Sequence, residues 1–202
     1  LYRVVAPLMS VWAVLPVKPA EEGKSRLAEV LPLPMRIRLN RALFRHTLDI
    51  VCSVFTPAHV IVVSRDPALL CIAAAAGAQA LTEYGEGLNA ALTQAALLPP
   101  PGADLLAIST DLPTLTAADL RAMLEQPGPV IIAPDRAGQG TNALLLRPAG
   151  SIPYRFGDNS FHLHCLAASQ SGLEIHAIHR PGLAFDLDMP DDLSLCPIGF
   201  LG

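Results

Sequence analysis

Aromatic side chains are scarce in this chain, at 5% of its 202 residues, and only 16% of the residues are charged, whereas 51% are hydrophobic. An aliphatic core is therefore required, and the length suits one α/β domain with a substantial interior better than two. Basic residues are not in excess. A formal net charge of -4 excludes the broad cationic face that nucleic-acid binding demands. Cys52, Cys71, Cys165 and Cys196 stand far apart, with no CxxC pair and no metal-ligand rhythm, and read as buried or incidental thiols of a reducing, cytoplasmic environment. No histidine stands in a recognisable pattern with serine or cysteine, so nucleophilic catalysis has no support. His162 and His164 lie two apart, which on a helix points them in different directions and excludes a shared metal.

A membrane-spanning run is missing too. The start, LYRVVAPLMSVWAVLPV, is apolar enough to raise a signal peptide or membrane anchor, but it is short for a span, is broken by Pro7 and Pro16 and carries Arg3, which argues against a span. Met9 is expected to be the natural start, with residues 1–8 lying upstream of a single domain over 9–202.

What is present is organised around Val11 to Leu27, VWAVLPVKPAEEGKSRL. Its first half is the apolar run of a buried parallel strand. Pro16 and Pro19 end that strand, and a loop carrying Lys18, Lys24, Ser25 and Arg26 follows. In open α/β sheets ligands gather beyond the carboxyl ends of the strands, so these cations are placed to hold the phosphates of a small ligand.

Helical spacing over Pro34–Phe55 predicts a long crossover helix. HVIVVS (59–64) is a second strand with Asp66 just past its end, Pro67–Ala76 a helix stopped by Gly77, and Ala78–Leu81 a third strand. This alternation predicts βαβ units in a Rossmann-like, mainly parallel sheet flanked by helices. YGEGLN (84–89) is a glycine-containing loop feeding a helix from Leu88 to Leu98. DLLAIS (104–109) is a fourth strand that delivers Asp111 to the crevice, and Thr116 with Asp119 makes a capping-box pattern for the next helix. A fifth strand, Val130–Ala133, leads through RAGQGT into an apolar strand over Asn142–Leu146. FGDNSF (156–161) opens a helix running to Gly172 and offers a second anion site, distinct from the first. Glu174–His179 is a late strand. In FDLDMPDDL (185–193), read as extended, Asp186 and Asp188 share a side, and two carboxylates on one side invite a divalent cation. Asp111 invites the same cation to touch the phosphates.

Assembled, these motifs resemble the CofC/FbiD family of guanylyltransferases, a branch of the MobA-like nucleotidyltransferase fold. Each motif is unspecific alone, but their order and spacing from Met9 to Leu193 are specific. The resemblance implies transfer of GMP from GTP to the phosphate of a three-carbon acid (2-phospho-L-lactate, phosphoenolpyruvate or 3-phospho-D-glycerate) in deazaflavin coenzyme synthesis. Hand-over of the product to the next transferase of that pathway and a homodimer are left open by the sequence. By the same resemblance Pro16, Lys18, Lys24, Ser25, Arg26, Asp66, Gly85, Leu88 and Asn89 bind the nucleotide. Lys18, Lys24, Arg26 and Asp111 serve catalysis, and Asp111, Asp186 and Asp188 hold Mg2+. Thr141, Asn142, Gly157 and Ser160 hold the acid. Two positions depart from the family pattern: Ser109-Thr110 precede Asp111 where a small residue is expected, and Gln139 replaces a smaller residue.

Two other readings stand beside this one. A MobA-like enzyme acting on a sugar phosphate or a molybdenum cofactor shares the fold, although the LxAGGxSxRMG loop of the molybdenum-cofactor enzymes is replaced here by PVKPAEEGKSRL. A non-catalytic nucleotide-sensing domain explains the phosphate loop but not three carboxylates at strand ends.

Overall fold

The computed structural model describes residues 11–197 and Phe200. The expected start at Met9 lies outside the described residues. Seven strands form one sheet: β1 (Val11–Pro16), β2 (Val60–Ser64), β3 (Gln79–Thr82), β4 (Asp104–Ile108), β5 (Val130–Pro134), β6 (Thr141–Leu146) and β7 (Ile175–Ala177), in the order β3-β2-β1-β4-β6-β5-β7. β1 pairs in parallel with β2 and β4, β2 with β3, and β5 with β7, while β6 is antiparallel to both β4 and β5. The sheet is thus mainly parallel, as expected, with one strand reversed. The reversal follows from chain length: Asp135–Gly140 is too short for a crossover and permits only a hairpin.

The helices are α1 (Leu33–Val54), α2 (Pro67–Ala75), α3 (Leu88–Ala95), α4 (Ala117–Leu124), α5 (Ser160–Gln170) and α6 (Pro181–Ala184). They cover both faces, which is why the inner strands are apolar without alternation. On one face Ala13, Leu15, Val62, Leu106 and Ile131 pack against Phe44, Leu48 and Val51 of α1, Leu69 and Ala73 of α2, and Leu120 and Met123 of α4. On the other, Val14, Ile61, Val63, Leu105 and Ile132 meet Ala91, Leu92 and Ala95 of α3 and Ala167 and Ala168 of α5. Among the described residues no helix is long and apolar enough to cross a membrane.

Thr116 and Asp119 form the capping box that starts α4. Gly77 stops α2 with φ 81°, a left-handed turn that glycine adopts without steric cost. One element differs from expectation. Residues 185–188 are not a strand. The Leu187 amide bonds the Asp111 carbonyl at 3.0 Å and its side chain is buried, so this stretch lies against the β4–α4 connection instead of adding to the sheet.

Candidate active site

β1 ends at Pro16, and the loop beyond it is held from both sides. The Ala20 amide donates to Asp66 Oδ2 (3.2 Å), and Asn40 Nδ2 of α1 donates to the Ala20 carbonyl (2.7 Å). Gly23 lies flat on the Asn40 amide, and a Cβ there would come within 2.6 Å of Asn40 Nδ2. Lys24 then adopts a left-handed backbone (φ 56°, ψ 37°) and a single 3-10 turn, Ser25–Leu27, buries Leu27. A non-glycine residue in this region carries strain of about 1 kcal/mol.

That backbone aims Lys24 inward. Its Nζ lies 2.7 Å from Asp111 Oδ2 and 2.9 Å from Asp188 Oδ1, and its side chain is only 7% exposed. Arg26, more exposed, reaches Asp188 Oδ2 at 3.2 Å. Burial opposes the charge on Lys24, but Asp111 and Asp188 outweigh it and hold the ammonium above its ordinary pKa.

The three carboxylates come from two chain stretches. Asp111 follows β4, where the Ser109 amide bonds the Asn142 carbonyl at 2.8 Å. Asp186 and Asp188 flank buried Leu187. Asp186 is pushed up from the usual carboxylate range, first by burial and then by the nearby charge of Asp111. Asp188 is fixed from behind by Asp192, whose Oδ2 accepts from the Asp188 amide (2.9 Å) and the Met189 amide (2.7 Å). Arg136 pairs with Asp192 and lies over the Phe185 ring, 4.5 Å from its centre.

Among the described residues no three His, Cys, Asp or Glu side chains converge into a ready-made metal cage. Magnesium seldom uses one, because it takes one or two carboxylates and completes its shell with water and substrate phosphate. Asp111 and Asp188 already share a cationic partner in Lys24, with Asp186 close enough to Asp111 to feel its charge. This donor set fits Mg2+.

A cavity of about 460 Å³ lies beyond the ends of β1 and β4, within the size range of small-molecule sites. Pro16, Lys18, Lys24, Ser25 and Arg26 line it on one side, Gly87 and Leu88 on another, with Asp111 and Asp188 facing them. Three expected nucleotide ligands sit elsewhere. Asp66 caps α2, accepting from the Ala68 and Leu69 amides, and tethers Ala20. Asn89 is spent on Phe156, giving Nδ2–H to its carbonyl (3.0 Å) and accepting its amide through Oδ1 (2.8 Å). Gly85 packs against Ala90, where a Cβ would approach to 2.8 Å. These three residues do not line the cavity.

The residues expected to hold the acid gather where β6 begins and α5 starts. Asp135 Oδ1 and Oδ2 accept the Gln139 and Gly140 amides, each at 2.9 Å, folding the hairpin turn. The Phe161 amide bonds the Gln139 carbonyl at 3.0 Å, which brings the two loops together. Thr141 and Ser160 are buried there, and Gly157 has φ 123°. The Asn142 Nδ2 is engaged by the Leu183 carbonyl at 3.0 Å and lies 3.4 Å from Asp186 Oδ1, so its amide steadies Asp186. None of the four lines this cavity; Phe156, which does, packs edge-on against His164, the partner of Thr141.

Asn40, Asp135, Asp192 and His164 were not read from the sequence as site residues. Asn40 sits on a helix face and Asp135 in a turn, with nothing local to set them apart. Only Asp192, three residues after Met189 in a capping pattern, left a local signal.

Residues 11–198 match the family model described as "Guanylyl transferase CofC like". The chain is 44% identical over 192 residues to a phosphoenolpyruvate guanylyltransferase of Rubrobacter xylanophilus, covering 92% of this chain and 93% of that one. It is 32% identical to a 3-phospho-D-glycerate guanylyltransferase of Colwellia psychrerythraea, covering 90% and 89%. Among solved structures, a nucleotidyl transferase from Methanothermobacter thermautotroptrophicus superposes with a TM-score of 0.63 at 17% identity, covering 95% and 98%.

Proposed function

The chain belongs to the CofC-like guanylyl transferase family, and from that premise we propose that it transfers GMP from GTP to phosphoenolpyruvate, releasing pyrophosphate. One arrangement carries this reading: a buried ammonium, Lys24, held between Asp111 and Asp188 at the floor of a cavity that Lys18 and Arg26 also line. Such a floor neutralises a polyphosphate and anchors it through oxygen donors at the same point. Phosphoenolpyruvate is the acceptor acted on by the relative of 44% identity.

A phosphate oxygen of the acceptor attacks the α-phosphorus of GTP, the bond from that phosphorus to the bridging oxygen breaks, and pyrophosphate departs with the electron pair. The acceptor is already anionic near neutral pH, so no general base is needed, in keeping with a site of Lys, Arg and Asp. Lys18, Lys24 and Arg26 hold the triphosphate, and Thr141, Gly157 and Ser160 hold the acid in line with it. Asp111, Asp186 and Asp188 would hold Mg2+, which supplies charge neutralisation and orients the phosphates. Asp111→Asn removes a charge from this set and abolishes turnover; unchanged turnover would refute the metal assignment.

The deciding experiment measures pyrophosphate release with Mg2+ and GTP against phosphoenolpyruvate, 3-phospho-D-glycerate and 2-phospho-L-lactate, with ATP and CTP as controls. Release with GTP and phosphoenolpyruvate is expected. Release only with 3-phospho-D-glycerate would favour the second reading, which the Colwellia relative supports. Silence in every well, from folded protein, would overturn both.

A further inference from the structure

His164 and Thr141 form a buried polar pair joining α5 to the first residue of β6. His164 is 0% exposed and Thr141 5%. The Arg155 amide nitrogen lies 3.0 Å from His164 Nε2. A backbone amide can only donate, so Nε2 must be the accepting nitrogen. Burial pushes the pKa of His164 down to about 4, against a smaller upward pull from the Ser160 carbonyl. The ring is therefore neutral near pH 7, and its single hydrogen sits on Nδ1.

Nδ1 lies 3.1 Å from Thr141 Oγ1. With the hydrogen on Nδ1, the threonine oxygen accepts from the imidazole and keeps its own hydrogen for another partner. The opposite tautomer would draw that hydrogen toward His164 and turn lone pairs to the other side, where an anion would be repelled. Phe156 packs edge-on against the imidazole, ring centres 4.9 Å apart, and the Asn89 amide holds the Phe156 backbone from α3. The ring is thus braced on three sides.

We infer that His164 is a positioning residue: locked as the Nδ1–H tautomer by the Arg155 amide, it orients the Thr141 hydroxyl to donate its hydrogen to the anionic acceptor. This rests on the reading of Thr141 as an acid ligand, and the tests separate the two claims. Long-range nitrogen–proton NMR of imidazole-labelled, ligand-free protein reads the tautomer without any substrate. An Nδ1–H ring throughout pH 6–8 is expected; an Nε2–H ring overturns the inference.

Kinetics test the consequence. His164→Leu is expected to raise KM for the acid by roughly tenfold, the size of one charge-assisted hydrogen bond, with KM for GTP unchanged. His164→Asn, whose amide reaches the Nδ1 position, restores most of the loss. In a Thr141→Val background, His164→Leu adds nothing. A loss in that background equal to the loss in the native one, or an equal rise in KM for GTP, overturns the inference. Inactivity toward every acid refutes the acceptor assignment and leaves the NMR result to decide the tautomer.

Discussion

Lys24 combines a left-handed backbone with a buried charge, and both serve one end: they place a cation where two carboxylates would otherwise face each other. Lys24→Met leaves Asp111 and Asp188 without that partner. Magnesium should then protect the variant more than the native protein, so the rise in melting temperature on adding the metal is larger for Lys24→Met. An equal rise in both proteins would mean that the ammonium and the metal do not share these carboxylates. His164 has a different consequence, in stability. Its folded pKa of about 4 lies below the unfolded value near 6.5, so the unfolded chain binds more protons between those limits. Stability is full above about pH 6.5 and falls as pH drops toward 4, by up to about 3 kcal/mol from this group. Denaturant melts of native protein and His164→Leu across that range check it: the variant's slope with pH should be shallower.

Elements show where reading the sequence succeeds and where it stops. The Thr116–Asp119 box spans three residues, so its partners are visible in the chain. The family resemblance places Asp66 and Asn89 at the nucleotide, whereas their side chains here engage Ala20 and Phe156, which lie 46 and 67 residues away. No local pattern reports such distant pairings. The stretch 185–188 was expected as a strand because its alternation is correct; what it lacks is a strand partner, since the Leu187 amide goes to Asp111. The 3-10 turn Pro190–Leu195 that follows serves to present Asp192 to the Asp188 and Met189 amides. Asp192→Ala frees that turn and, through it, Asp188. Loss of such a supporting contact costs roughly 10- to 100-fold in metal affinity or activity. The expected result is a raised magnesium requirement for turnover with KM for the acid little changed.

At the level of the molecule, the apolar strands and their order along the chain were legible because both sheet faces are buried and the runs are unmistakable. The cationic loop was legible for the same reason, since it directly follows one of those runs, β1. The lateral order of the strands was not, because it is decided by packing between distant segments. The cavity is built from several of those segments, β1, α3, β4 and the chain near Asp188. Ligands bound there stabilise the fold as a unit. Saturating GTP with magnesium, at about 100 times Kd, should add about 2.7 kcal/mol and move a single cooperative melting transition upward, with no second transition appearing.

The reversed strand β6 has a broader consequence. Because it runs against its neighbours, its first residue, Thr141, lies at the same edge of the sheet as Ser109 and Asp111. On the proposed reading, the nucleotide is met by residues drawn mainly from the first half of the chain, and the acid by a hairpin and helix start from the second. On that reading, changes within one segment, 135–161, alter acceptor preference and leave Lys18, Lys24 and Arg26 of the triphosphate loop in place.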